Sequence, residues 1–131
     1  MLMGIMKGEI YGFLIDEEIL FDINKKRLIR FSDDTELRAV TISAVSLSVN
    51  LVRLLTLLLT SEKGVVVSKN DILNNVWEDN NLSSSSQRLW HAINELRRKL
   101  MAMGLSSDFI SSVRDSGYFI NNHKVTPLFY G

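Results

Sequence analysis

A chain of 131 residues, 46% of them apolar, is long enough to bury one core of its own and needs neither a second domain nor a covalent staple. It has no cysteine, which excludes a disulfide framework and a thiolate metal site and suits a reducing compartment. Fifteen Lys plus Arg balance fifteen Asp plus Glu, so no global field draws the molecule to a polyanion, and any such binding has to come from local clustering.

The first six residues are apolar, but the run is too short and too poor in flanking positive charge for a signal peptide. Residues 1–11 are expected to form a lead. From 12 to 42, short apolar bursts (Phe13-Leu14-Ile15, Ile19-Leu20-Phe21, Leu28 to Phe31, Leu37 to Ile42) alternate with polar clusters such as Asn24-Lys25-Lys26 and Ser32-Asp33-Asp34. That is the pattern of short antiparallel strands joined by turns.

The period then changes. Leu47, Leu51, Leu54, Leu55 and Leu58 recur at three- and four-residue steps and predict a core helix over 47–61, before Gly64. Its apolar stretch, Leu51 to Leu59, is interrupted by Arg53 and Thr56 and falls well short of the ~20 residues a membrane helix needs. Val65-Val66-Val67 reads as an extended link. Ser68-Lys69-Asn70-Asp71 has the form of a capping box, opening a second helix over 69–77. Ser84-Ser85-Ser86-Gln87 offers another, opening a third over 84–101 that Gly104 ends. Phe109 to Val113 and Tyr118 to Ile120 flank Arg114-Asp115-Ser116-Gly117, a hairpin over 109–120 turning on a glycine. Residues 123–131 read as a tail, leaving 12–122 as one α+β domain.

The third helix carries the most information. At 100° per residue, Leu89, Ala92, Ile93, Leu96 and Leu100 fall on one side. Ser84, Gln87, Arg88, His91, Asn94, Glu95 and Arg98 gather on the other, with Trp90 and Arg97 at the margin. A helix fits the major groove of B-DNA, where Arg grips guanine, Asn or Gln pairs with adenine, and a carboxylate accepts from cytosine. The region is locally basic: residues 86–114 hold five bases against two acids, whereas 1–36 hold five against eight. Arg114 at the hairpin turn suits the negative potential of a narrow minor groove. A polar stripe is also the ordinary solvent face of a surface helix.

Three blocks make the segment from Leu47 to Ile120 resemble the OmpR/PhoB-type winged helix-turn-helix domain, and more closely its ToxR/CadC-like, membrane-anchored branch. They are Leu47 to Leu55, then Val67 to Leu73 with Val76-Trp77, and finally Ile93 to Leu100 joined to Ser112-Val113-Arg114-Asp115-Ser116-Gly117-Tyr118. The resemblance implies a winged helix-turn-helix with an N-terminal antiparallel sheet, three helices and a β-hairpin wing. It further implies sequence-specific binding of double-stranded promoter DNA through Trp77, Arg88, His91, Asn94, Glu95, Arg97, Arg98, Ser112, Arg114 and Tyr118. The chain departs from the pattern at Leu51, where many members have glutamate, at Glu95, where many have a base-reading arginine, and at Asp115, where many have glycine or lysine. Several of these residues have a second reading. Trp77 and Tyr118 serve equally as packing residues, His91 as a solvated imidazole, and Glu95 as a helix-surface partner of Arg98 or Lys99.

An enzyme is not expected, because no nucleophile with a partnered histidine, no phosphate loop and no HExxH motif is present. No cofactor, catalytic residue or metal ligand is assigned. The acids Asp16-Glu17-Glu18 and Asp33-Asp34 are read as keeping sheet edges soluble. The rival reading is a winged helix that binds protein, since balanced charge weakens phosphate neutralisation. The same balance suits a domain raised in effective concentration by pairing with a second copy, by a partner regulator, or by a membrane anchor outside this chain. On the resemblance, residues 1–131 are then the cytoplasmic portion of a longer activator.

Overall fold

The computed structural model describes residues 8–34, 36, 38–62, 64–77, 85–121 and 124–131. The chain begins with four antiparallel strands, β1 (Ile10–Ile15), β2 (Ile19–Asp22), β3 (Arg27–Asp34) and β4 (Ala39–Ser46). Alternation drives their placement: Phe13, Ile15, Ile19, Phe21 and Leu28 all point to one face and are almost wholly buried. The β1–β2 turn closes with Glu18 N–H donating to the Ile15 carbonyl at 3.1 Å. Asp16 and Glu17, its central pair, both adopt positive φ. Two such residues give the mirror-image turn that matches strand twist.

α1 (Val49–Thr60) starts where the Ser48 hydroxyl accepts from the Leu51 N–H at 3.2 Å. Leu47, expected inside this helix, precedes it, yet is buried along with Val52 in the two positions of a hydrophobic staple. Leu51 stands where a capping-box carboxylate would return a hydrogen bond, and its side chain is buried in the core instead. A two-residue strand, β5 (Val67–Ser68), leads into α2 (Lys69–Val76), whose Ser68 cap accepts from Asp71 N–H at 3.1 Å. Trp77, expected as the last residue of this helix, is its C-cap with extended backbone angles. Arg53, the charge that interrupts the apolar stretch of α1, donates to the Val76 carbonyl at the end of α2.

α3 (Ser85–Ala102) buries Leu89, Ile93, Leu96 and Leu100. Ser84, its expected cap, lies outside the described residues. The helix ends in a Schellman motif: Leu105 N–H donates to the Leu100 carbonyl at 3.1 Å, Gly104 N–H donates to Met101 at 2.9 Å, and Gly104 supplies φ +98°. Arg30 of β3 completes this end. Its guanidinium donates to the Met103 carbonyl at 2.7 Å and to Glu18 at 3.0 Å, so a cation from the N-terminal sheet sits at the negative pole of α3.

β6 (Ile110–Val113) and β7 (Gly117–Ile120) form a hairpin, and β7 also pairs with β5, giving a second sheet of order β5-β7-β6. The turn itself is Arg114 to Ser116, with Asp115 in the left-handed region. Gly117 has a different role from the turning residue expected: a Cβ there would collide with the Val67 carbonyl, so glycine permits β7 to lie against β5.

Two expectations are corrected at the chain ends. Residues 125–129, read as tail, form β8 (Val125–Phe129) and pair antiparallel with β1, making the first sheet five-stranded in the order β4-β3-β2-β1-β8. Ile10 and Tyr11, assigned to the lead, belong to β1: Ile10 pairs with Phe129 of β8, and Tyr11, at an irregularity in that pairing, accepts from Ile23 N–H at 3.2 Å. The acids Asp16 and Glu17 fasten this closure: Asp16 accepts from Lys124 N–H at 3.1 Å, and Glu17 pairs with the Lys124 ammonium. The whole is the α+β winged helix-turn-helix expected, with one apolar core between the first sheet, the three helices and the hairpin.

Candidate nucleic-acid interface

α3 presents its unburied flank beside the β6–β7 turn. Gln87, His91 and Arg98 are exposed along that flank, while Arg88, Asn94 and Glu95 are half-buried. Each of the last three is held by a neighbour. The Arg88 guanidinium stands over the Trp77 ring, 5.9 Å from its centroid. Asn94 donates from Nδ2 to the Trp90 carbonyl at 2.9 Å, which leaves Oδ1 and one N–H to offer outward. Glu95 lies 4.0 Å from the Lys99 ammonium one turn on, the helix-surface pairing that competes with cytosine readout. Lys99 in turn donates to the Ser46 carbonyl at 2.6 Å, so the cation paired with Glu95 is itself anchored to the end of β4.

Arg97 takes a role that helical spacing did not assign. Its Nε and one terminal nitrogen both donate to the Ile110 carbonyl, at 3.1 and 2.7 Å, and that nitrogen also donates to Ser112 Oγ at 2.9 Å. The same guanidinium lies 5.9 Å from the centroid of the Tyr118 ring. A single cation therefore ties the helix to both strands of the hairpin. This fixes the angle between them, and it engages Ser112 and Tyr118 within the protein. Tyr118 is 7% exposed and packs into the core.

Arg114 is the opposite case. Its side chain is 98% exposed at the hairpin tip, with the Asp115 carboxylate, itself almost fully exposed, 4.0 Å from Nε. Trp90 is the residue that sequence reasoning undervalued. Placed at the margin of the stripe, it is 59% exposed and meets the His91 ring edge-on at 5.0 Å between centroids. Helical spacing places Trp90 at the stripe's margin, whereas its exposure follows only from the packing of the elements around it. Of the twelve predicted contact residues, Ser84 lies outside the described region. Gln87, Arg88, His91, Asn94, Glu95 and Arg98 share the α3 flank, and Arg97, Ser112, Arg114 and Tyr118 gather at the hairpin. Trp77 borders the flank beneath Arg88.

Comparison with solved structures finds the same fold. The DNA-binding domain of the response regulator AdeR, solved in complex with an intercistronic region, matches with a TM-score of 0.62 at 15% identity, covering 80% of this chain and 95% of that one. The DNA-binding domain of Bacillus subtilis CssR matches with a TM-score of 0.50 at 22% identity, covering 69% and 98% respectively. At such identities the likeness is one of fold. No curated protein matches the sequence. Residues 43–120, from the end of β4 through the hairpin, match the family described as "Transcriptional regulatory protein, C terminal". With more than half of its length inside that match, the chain belongs to this family of C-terminal domains of transcriptional regulatory proteins.

Proposed function

We infer that this DNA-binding domain of a transcription regulator lays α3 in the major groove, with Gln87, His91, Asn94 and Arg98 toward base edges and phosphates. The hairpin is the wing, and it carries Arg114 to the adjacent minor groove. One observation supports the reading above others: the polar flank of α3 is open beside a hairpin whose tip holds a nearly fully exposed arginine. Arg88 on Trp77 reaches the backbone at the edge of the groove. Arg97 acts as a positioning residue. The domain is read as a binding module and not an enzyme.

The experiment is titration onto promoter fragments at several salt concentrations. A negative slope of log affinity against log salt is expected, becoming shallower by about 1 in Arg98→Ala and in Arg114→Ala. Asn94→Ala is expected to alter which sequence is preferred while leaving that slope unchanged.

A second reading, a protein-binding winged helix, is favoured by the balanced charge and by Glu95 and Asp115 on the presenting side. A salt-independent or absent DNA response supports it. The same balance fits the finer reading that the domain is ToxR/CadC-like, an activator working in the cytoplasm under a membrane anchor that lies outside this chain. Tethering would supply by concentration what intrinsic affinity lacks. Among the described residues no helix is long and apolar enough to cross a membrane.

A further inference from the structure

The two edges of the five-stranded sheet are built differently. The β8 edge carries Pro127 and lies beside Lys124, the kind of residues that discourage strand addition. The β4 edge is less guarded: between Arg38 before its start and the Lys99 ammonium on the Ser46 carbonyl at its end, Ala39 to Ser46 reads AVTISAVS, without charge or proline inside the strand, and is the last strand of its sheet. Val40 and Ile42 are 68% and 62% exposed, and Phe31, the cross-strand partner of Ile42, is 57% exposed on the same face.

The hydrogen-bond pattern says which backbone groups this edge offers. Leu47 N–H donates to the Lys26 carbonyl at 2.8 Å, so by antiparallel alternation Val45, Ser43 and Thr41 exchange their bonds with β3. Val40, Ile42, Ala44 and Ser46 then aim N–H and C=O away from the sheet. The Ser46 carbonyl is already engaged by the Lys99 ammonium. The remaining offered run, Val40, Ile42 and Ala44, is centred on Ile42.

We propose that β4 pairs antiparallel with β4 of a second copy of this chain across a two-fold axis at Ile42. The run is self-complementary under that operation. Ile42 meets Ile42, Val40 meets Ala44 large against small, and roughly six interchain backbone hydrogen bonds form. The residues on the two-fold side of Phe31 join into one apolar stripe spanning both copies. Charge agrees with this occupant. The antiparallel arrangement brings the β3–β4 end of each copy, where Asp33 and Glu36 outweigh Arg38, toward the end of the other that holds Lys26, Arg27 and Lys99. An interface of one strand lies below the roughly 1,200 Å² of standard stable complexes, so the equilibrium is reversible and on the order of micromolar.

Sedimentation equilibrium of the free protein tests the pairing, independently of any DNA. The 14.9 kDa chain is expected to rise toward twice that mass between about 1 and 100 µM. Ile42→Lys and Ile42→Glu each place like charges opposite one another, and each is expected to stay monomeric. Their equimolar mixture is expected to recover the doubled mass. Val40→Pro, which removes one offered N–H, is expected to weaken association at least tenfold, and circular dichroism of every variant checks folding at these exposed positions. A wild-type chain that stays monomeric across the range overturns the proposal, as does a dimer that survives in folded Ile42→Lys.

Discussion

Arg97 and Arg98 are neighbours in sequence with opposite duties, and a pair of substitutions separates them. Arg97→Ala removes three hydrogen bonds to Ile110 and Ser112 and strips the Tyr118 ring of its cation. It is expected to cost about 1.5–3 kcal/mol of stability, read as a lowered midpoint in urea, because charged hydrogen bonds in a half-buried setting are among the stronger ones. Arg98→Ala, at an exposed position, is expected to leave that midpoint within about 0.5 kcal/mol and to show its effect only in DNA affinity. Equal loss of stability in both would remove the distinction. The difference was not legible in the sequence. Helical spacing places Arg97 at the margin of the stripe, but the carbonyl that captures it lies on a strand thirteen residues on, and only tertiary packing brings the two together. Trp90 shows the same limit from the other side, since periodicity gives a direction for its indole and says nothing of what covers it.

Elements were far more legible than contacts, and the reason is that their signals are local. Ser68-Lys69-Asn70-Asp71 and Gly104 announced a helix start and a helix end, and both work by bonds that span no more than a few residues. Ser68→Ala is accordingly expected to cost about 1 kcal/mol, seen as an earlier thermal or urea transition, with Ser68→Gly losing less. An unchanged transition in Ser68→Ala would mean that β5 pairing, not the cap, holds this helix start. β8 was illegible for the converse reason. Val125-Thr126-Pro127-Leu128-Phe129 is five residues with a proline in the middle, a pattern that reads as coil until β1 is known to lie alongside. The turn at Asp16-Glu17 was equally hidden, because neither residue is the Asn or Gly that usually marks positive φ.

At the scale of the whole molecule, the first sheet is more than an appendage. Arg30 caps α3, Lys99 of α3 holds the end of β4, and α1 packs between sheet and helices, so the strands brace the element proposed to enter DNA. Removal of residues 124–131 deletes β8 and the bonds of Lys124 to Asp16 and Glu17. It is expected to cost on the order of 2–4 kcal/mol, a urea midpoint lower by roughly 1–2 M at typical slopes. The DNA salt slope is expected to stay intact under folding conditions; a changed slope would mean that β8 bears on the interface directly.

The β1–β8 pair also joins the two ends of the described chain. Gly8 N–H donates to the Tyr130 carbonyl at 3.1 Å and Tyr130 N–H to the Glu9 carbonyl at 2.9 Å, so both ends leave from one corner of the sheet. Tension applied between them would load these ladder bonds one after another, like a zip opened from its tab, and not all together in shear. The molecule is therefore mechanically soft along that one direction: a modest pull would peel β8 away while α3 and the wing kept their places.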